Sequence, residues 1–130
     1  MLSEVGDIVL AHYNSGSYIG EVMEDRGERN LIKVLAVKKH PLQGDIHNYG
    51  KTEGVFFHER KALAFHEKMN VKKPAIHAYD EKVPDYAESL KKAVEDAKEK
   101  LQKKETAFNQ LALKTLMKLE RESYMNIYSS

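Results

Sequence analysis

Apolar and polar positions alternate with a period of two near the front of the chain, and recur with a period near 3.6 toward the back. Asp7-Ile8-Val9-Leu10-Ala11-His12-Tyr13 places Ile8, Leu10 and His12 on one face and Val9, Ala11 and Tyr13 on the other, the pattern of a strand. Asn14-Ser15-Gly16-Ser17 holds residue types that accept positive φ and leads into a second strand from Tyr18 to Glu24. Asp25 to Asn30 turns the chain again into Leu31-Ile32-Lys33-Val34-Leu35-Ala36-Val37, rich in β-branched and aliphatic side chains. These three segments predict an antiparallel meander. Gly54 to Phe57 and Ala62 to Phe65 predict a fourth and a fifth strand on either side of His58-Glu59-Arg60-Lys61. A helix from Glu59 to Lys68 is the alternative, because Ala, Leu, Glu and Lys favour one. Five short strands within residues 1–68 predict a small, partly open SH3-like β-barrel.

Residues 69–84 are charged and punctuated by Pro74 and Pro84, which predicts a connector with one helical turn over Pro74 to Tyr79. All seven glycines lie at or before Gly54 and no proline follows Pro84, so turns belong to the front and helix to the back. Asp85 is a natural N-cap, with Glu88 three residues on as its capping-box partner. The helix they open carries the stripe Tyr86, Leu90, Ala93, Val94, Ala97 and Leu101. Glu88 with Lys92, Asp96 with Lys100 and Glu99 with Lys103 set an acid four residues ahead of a base on its outer face. A second stripe, Phe108, Leu111, Ala112, Thr115, Leu116 and Leu119, nearly continues the first in phase. One reading is a single helix from Tyr86 to about Tyr124, on the order of 58 Å long at ~1.5 Å per residue. A hairpin turning between Lys103 and Thr106 is preferred, because a lone helix of that length leaves its stripe uncovered unless two copies pair. The expected fold class is therefore α+β in content: a mainly-β N-terminal SH3-like barrel (1–68), a connector (69–84) and a C-terminal helical subdomain (85–126), with a homodimer through the C-terminal helices as the alternative use of the second stripe.

Composition changes this picture little and narrows the chemistry. With 130 residues and 42% hydrophobic content the chain has enough apolar material for one core and an appended helical subdomain. Twenty-one basic against twenty acidic residues give a net charge of +1, so no global charge draws the protein to nucleic acid or to an anionic membrane. Cysteine is absent, which removes disulfides, thiolate catalysis, cysteine-ligated zinc and thiol-linked lipid, and fits a reducing cytosol. The first residues lack a secretory pattern and nowhere do ~18 apolar residues run together. A cytoplasmic protein is expected, reaching the inner face of a membrane only through a partner.

The candidate chemistry gathers in the polar loop Lys39 to Asn48 and the segment Phe56 to Phe65. His40, Gln43, Asp45, His47, Asn48, His58, Glu59 and Arg60 are the candidate partner-binding or loop-structuring residues. Imidazole and carboxylate on His40, Asp45, His47 and His58 suit a divalent metal, yet their spacing matches no known ligand motif, so no metal and no cofactor are expected. Glu59 beside His58 invites an acid–base reading that lacks a nucleophile or substrate pocket, so no enzyme is expected. Lys33, Lys38, Lys39, Arg60 and Lys61, with Tyr18 or Tyr49 for stacking, outline the competing function, an SH3-like RNA-binding module. A near-neutral chain without an aromatic-basic repeat makes a solvated surface the better reading, and no nucleic-acid partner is expected. His12, His66 and His77 read as structural or surface histidines.

The runs Gly6-Asp7-Ile8-Val9, Tyr18-Ile19-Gly20-Glu21-Val22, Lys33-Val34-Leu35-Ala36-Val37, His40 to Asn48, Phe56 to Phe65 and Val83 to Leu90 resemble the kinase-associated protein B family of spore-forming bacilli. The resemblance covers most of the chain. It implies an SH3-like barrel with a helical extension, acting as a non-catalytic accessory that a membrane sensor histidine kinase requires to start the sporulation phosphorelay. It supplies no catalytic residues. The family is described as lipoprotein, whereas this sequence has no cysteine and no signal segment, so membrane location is expected to be borrowed from the kinase.

Overall fold

The computed structural model describes residues 3–44 and 57–129. Five antiparallel strands form one sheet in the order β4-β3-β2-β1-β5, with β1 at Ile8–Tyr13, β2 at Gly16–Asp25, β3 at Arg29–Lys39, β4 at Lys68–Lys72 and β5 at Ile76–Ala78. Two long helices follow, α1 at Tyr86–Gln102 and α2 at Ala107–Leu119, then a π-helical turn at Glu120–Tyr124 and a short α3 at Met125–Tyr128. The expected class, an antiparallel β portion followed by a helical hairpin, is the one found.

The meander forms where period-two patterning placed it. β1 and β2 meet across the two-residue turn Asn14-Ser15, both at positive φ (47° and 68°), which matches the twist of paired strands. The Ser15 hydroxyl accepts a hydrogen bond from Leu42 N at 2.9 Å, so this turn also holds the start of the polar loop. Between β2 and β3 the register shifts three times, which coils the pair. Gly20 lies at one such shift. A Cβ there would meet Ile32 Cγ2 at 2.5 Å and the Lys33 carbonyl at 2.6 Å, so only glycine fits.

Of the two further strands expected, Gly54 to Phe57 falls almost wholly outside the described residues, and Ala62 to Phe65 does not form. Ala62 to Phe65 forms no strand, because its backbone is answered by tyrosine hydroxyls: Ala62 N by Tyr124 at 2.9 Å, Leu63 N by Tyr18 at 3.3 Å and the Leu63 carbonyl by Tyr86 at 2.6 Å. Nor does a helix form over Glu59 to Lys68, where His66 takes a φ of 69° in the turn that leads into β4. Of the segment Gly54 to Phe57, only Phe57 lies among the described residues, and it is not in a strand. Two further strands fall at Lys68–Lys72 and Ile76–Ala78, almost wholly within 69–84, the stretch read as connector: β4 pairs with β3, β5 with β1, and Pro74 sits in a 3-10 turn between them. The helical turn expected over Pro74 to Tyr79 is therefore realised only in Lys73–Ala75.

The helical hairpin turns where predicted. Asp85 caps α1, accepting from Glu88 N at 3.2 Å, and Thr106 caps α2, accepting from Asn109 N at 3.0 Å. On the outer face of α1 Asp96 pairs backward with Lys92 at 3.3 Å rather than forward with Lys100. The buried stripe Tyr86, Leu90, Ala93 and Val94 lies against β3, and Ser89 replaces a strand partner by accepting from Val37 N at 2.9 Å. One apolar cluster joins Val9, Val22, Ile32 and Val71 of the sheet to Leu90, Leu116 and Tyr124 of the helical layer.

Candidate functional site

The polar loop leaves β3 at Lys39 and turns inward. His40 and Gln43 are almost fully buried, at 2% and 4% exposure, so each polar atom on them needs a partner. His40 Nδ1 lies 2.9 Å from the Pro41 carbonyl and Nε2 lies 2.8 Å from Tyr124 Oη. A carbonyl only accepts, so Nδ1 carries the proton and Nε2 accepts from the Tyr124 hydroxyl. Tyr124 Oη in turn accepts from Ala62 N. Burial holds His40 down to about 4, against the opposing pull of the Pro41 carbonyl and the Glu120 carboxylate, so the ring is neutral at physiological pH. The same burial pushes Tyr124 up to about 12 and raises Tyr86 and Tyr18, which keeps all three hydroxyls protonated.

Gln43 acts as a piece of strand. Its Oε1 accepts from Arg60 N at 2.9 Å, and its Nε2 donates to the Arg60 carbonyl at 2.8 Å and to the Pro41 carbonyl at 3.1 Å. The Arg60 guanidinium answers by donating to the Leu42 carbonyl at 3.0 Å and to the Gly44 carbonyl. Gly44 N donates to the His58 carbonyl at 2.8 Å. Gly44 has a φ of 95°, and a Cβ there would meet Phe108 at 2.9 Å and Phe57 at 3.0 Å, so the loop passes tight under two aromatic rings.

The structure thus brings together His40, Gln43 and Arg60 of the sequence-derived candidates, joined to one another through backbone. Glu59 points elsewhere and pairs with Lys118 of α2 at 3.3 Å. Asp45, His47 and Asn48, with Tyr49, lie outside the described residues. Among the described residues no three His, Asp or Glu side chains converge as metal ligands would. Tyr18, a candidate stacking platform for bases, is instead buried at 1% exposure, because its ring sits in the core beneath Leu63. His12 bonds Ser17 Oγ at 2.8 Å and meets His77 edge-on across the sheet, and His66 stacks on Phe65.

Sequence reasoning missed what the helices contribute. Tyr124 lies 84 positions from His40, and no local pattern links them. Missed too was a cleft of about 360 Å³ between the loop and the hairpin. Leu42, Leu101, Phe108, Ala112 and Leu116 give it an apolar floor. Lys39, Lys100 and Lys104 stand around it, one each from the end of β3, the last turn of α1 and the turn between the helices.

Among the described residues, an antiparallel sheet of five strands is covered by a helical hairpin that locks a buried polar loop. The family model described as kinase-associated protein B matches residues 13–124. Kinase-associated lipoprotein B of Bacillus subtilis (strain 168) is 41% identical over 121 residues, spanning 93% of this chain and 94% of that protein. The X-ray crystal structure of kinase-associated protein B from Bacillus cereus is similar with a TM-score of 0.80 at 36% identity, over 93% of this chain and 97% of that one. The chain belongs to the kinase-associated protein B family. The Bacillus subtilis relative is named a lipoprotein. None of the 130 residues here is a cysteine, so none offers a thiol for lipid attachment. Among the described residues no helix is long and apolar enough to cross a membrane.

Proposed function

We propose that this protein is a non-catalytic accessory that associates with a membrane sensor histidine kinase and activates it to feed the sporulation phosphorelay. Family membership over nearly the whole chain is the observation that carries this reading. The bonding of the polar loop supports it. His40 and Gln43 spend their polar atoms on Pro41, Tyr124 and the backbone of Arg60, and the Arg60 guanidinium donates to the carbonyls of Leu42 and Gly44, bonding that suits a loop-structuring role rather than an acid–base set. A neutral His40 sealed by burial serves packing better than proton transfer. Localisation then follows the kinase, at the cytoplasmic face of the membrane.

The test is reconstitution of the purified chain with the cytoplasmic portion of the kinase. Binding accompanied by faster autophosphorylation is the expected result. A folded protein that neither binds that portion nor alters its autophosphorylation would remove the direct form of the reading.

A further inference from the structure

The cleft between the polar loop and the helical hairpin has a chemistry of its own. Its floor is aliphatic and aromatic, while among the described residues its polar surround contains three lysines and no acidic residue. Lys39, Lys100 and Lys104 are exposed, and among the described residues none of them forms an ion pair. The pattern of charge on α1 explains part of this, since Asp96, the acid four residues before Lys100, is held by Lys92. Glu105, next to Lys104 in the turn, lies 3.4 Å from the Gln110 amide, which donates to it. The outer face of α2 makes the contrast. There Lys118 is already flanked by Glu59 at 3.3 Å and Glu122 at 3.9 Å.

Resting on the kinase-accessory reading, we propose that this cleft is the docking site for an acidic segment of the kinase, which seats an apolar side chain on the floor and sets carboxylates against the three lysines. Size and spacing favour a polypeptide over a small carboxylate ligand. The cavity of about 360 Å³ is near the small end of ligand pockets, which run from about 300 to 1,000 Å³, and suits an anchor rather than a whole ligand. The lysines come from three different elements around it, so a matching partner carries several negative charges distributed about one apolar group. Such charges at the rim steer encounter and fix register, while the desolvated anchor supplies the holding contact.

The deciding experiment measures the affinity of the kinase's cytoplasmic portion for four forms of the full chain at low and at raised salt, with a melting curve for each. The forms are wild type, K39E/K100E/K104E, the same three lysines changed to Gln, and K114E/R121E on the outer face of α2 and the π-helical turn after it. Charge reversal in the cleft is expected to weaken binding by about tenfold or more and to flatten its salt dependence. The Gln form should fall between it and wild type, and the outer-face form should stay within about twofold of wild type. Equal binding by wild type and the folded cleft-reversed form would overturn the cleft alone and leave the accessory function standing. Equal losses from cleft and outer face would overturn it too, as general attraction between surface lysines and arginines and an acidic partner. If wild type itself does not bind, the accessory reading fails and the docking site falls with it.

Discussion

The meander β1 to β3 and the stitched segment formed by residues 40–44 with 57–64 solve one problem in two ways. Both bury backbone amides and carbonyls, which must find partners. In the meander each strand answers the next residue by residue, from Ile8 opposite Glu21 to Tyr13 opposite Gly16. In the stitched segment side chains answer instead: Gln43 takes both backbone groups of Arg60, Tyr124 takes the Ala62 amide, and Tyr18 and Tyr86 take the amide and carbonyl of Leu63. A ladder is redundant, whereas each stitch depends on one named side chain. The meander is therefore vulnerable mainly where steric room runs out, and the stitched segment wherever a single polar atom is removed.

The largest effect should come from the meander's tightest point. Gly20→Ala sets a Cβ against the Lys33 carbonyl, which as backbone of a central strand has nowhere to go, and is expected to cost roughly 3 kcal/mol or more in urea unfolding. A loss of similar order should come from acid acting on the stitched segment. The unfolded chain titrates His40 near 6.5 and the fold holds it at about 4. Between these values only the unfolded state takes up the proton. Stability is thus full above about 6.5 and falls by on the order of 3 kcal/mol as pH drops to about 4. Urea titrations on either side of that window check it, and His40→Gln should lack this part of the pH dependence.

Removing one stitch should cost somewhat less. Tyr124→Phe keeps the ring and deletes the hydroxyl, leaving His40 Nε2 and Ala62 N buried without partners, and is expected to destabilise by about 2 kcal/mol. An equal stability for wild type and Tyr124→Phe would show that the stitches are replaceable, as rungs of a ladder are. The smallest effect should come from the surface. Lys118→Ala removes a half-exposed pair with Glu59 and should change stability by no more than about 0.5 kcal/mol, with less at high salt.

What the sequence displays follows the same division. The meander and the hairpin are legible because their periods, 2 and 3.6, are local properties of consecutive residues, and because Asp85 announces the start of α1. Ala62 to Phe65 carries the composition of a strand, and nothing nearby reveals that three tyrosines from distant elements take its hydrogen bonds. β4 is hidden for the opposite reason. Lys68-Met69-Asn70-Val71-Lys72 buries only Met69 and Val71, and two apolar residues among lysines make a faint alternation. The polar loop stands out in the sequence because histidine and glutamine cluster there, with an arginine close behind. Their meaning depended on burial, which a polar sequence does not advertise. The cleft is still less visible, because its three lysines come from three elements and are ordinary surface residues until the hairpin folds over the loop.

The bond from His40 to Tyr124 also fixes an order of events during synthesis. The two residues are 84 positions apart, so at ribosomal rates of ~5–20 residues per second His40 waits on the order of 4 to 17 s for its partner. Until then the meander is complete in sequence while its loop lacks the Tyr124 hydroxyl that bonds His40 and Ala62. Stalled nascent chains that extend past Tyr124 should protect the Ala62 amide from hydrogen exchange, and chains that present residues only up to Leu119 should leave it open. The last helical turn is thus a late-arriving clasp, and the vector of translation decides when the N-terminal half becomes committed.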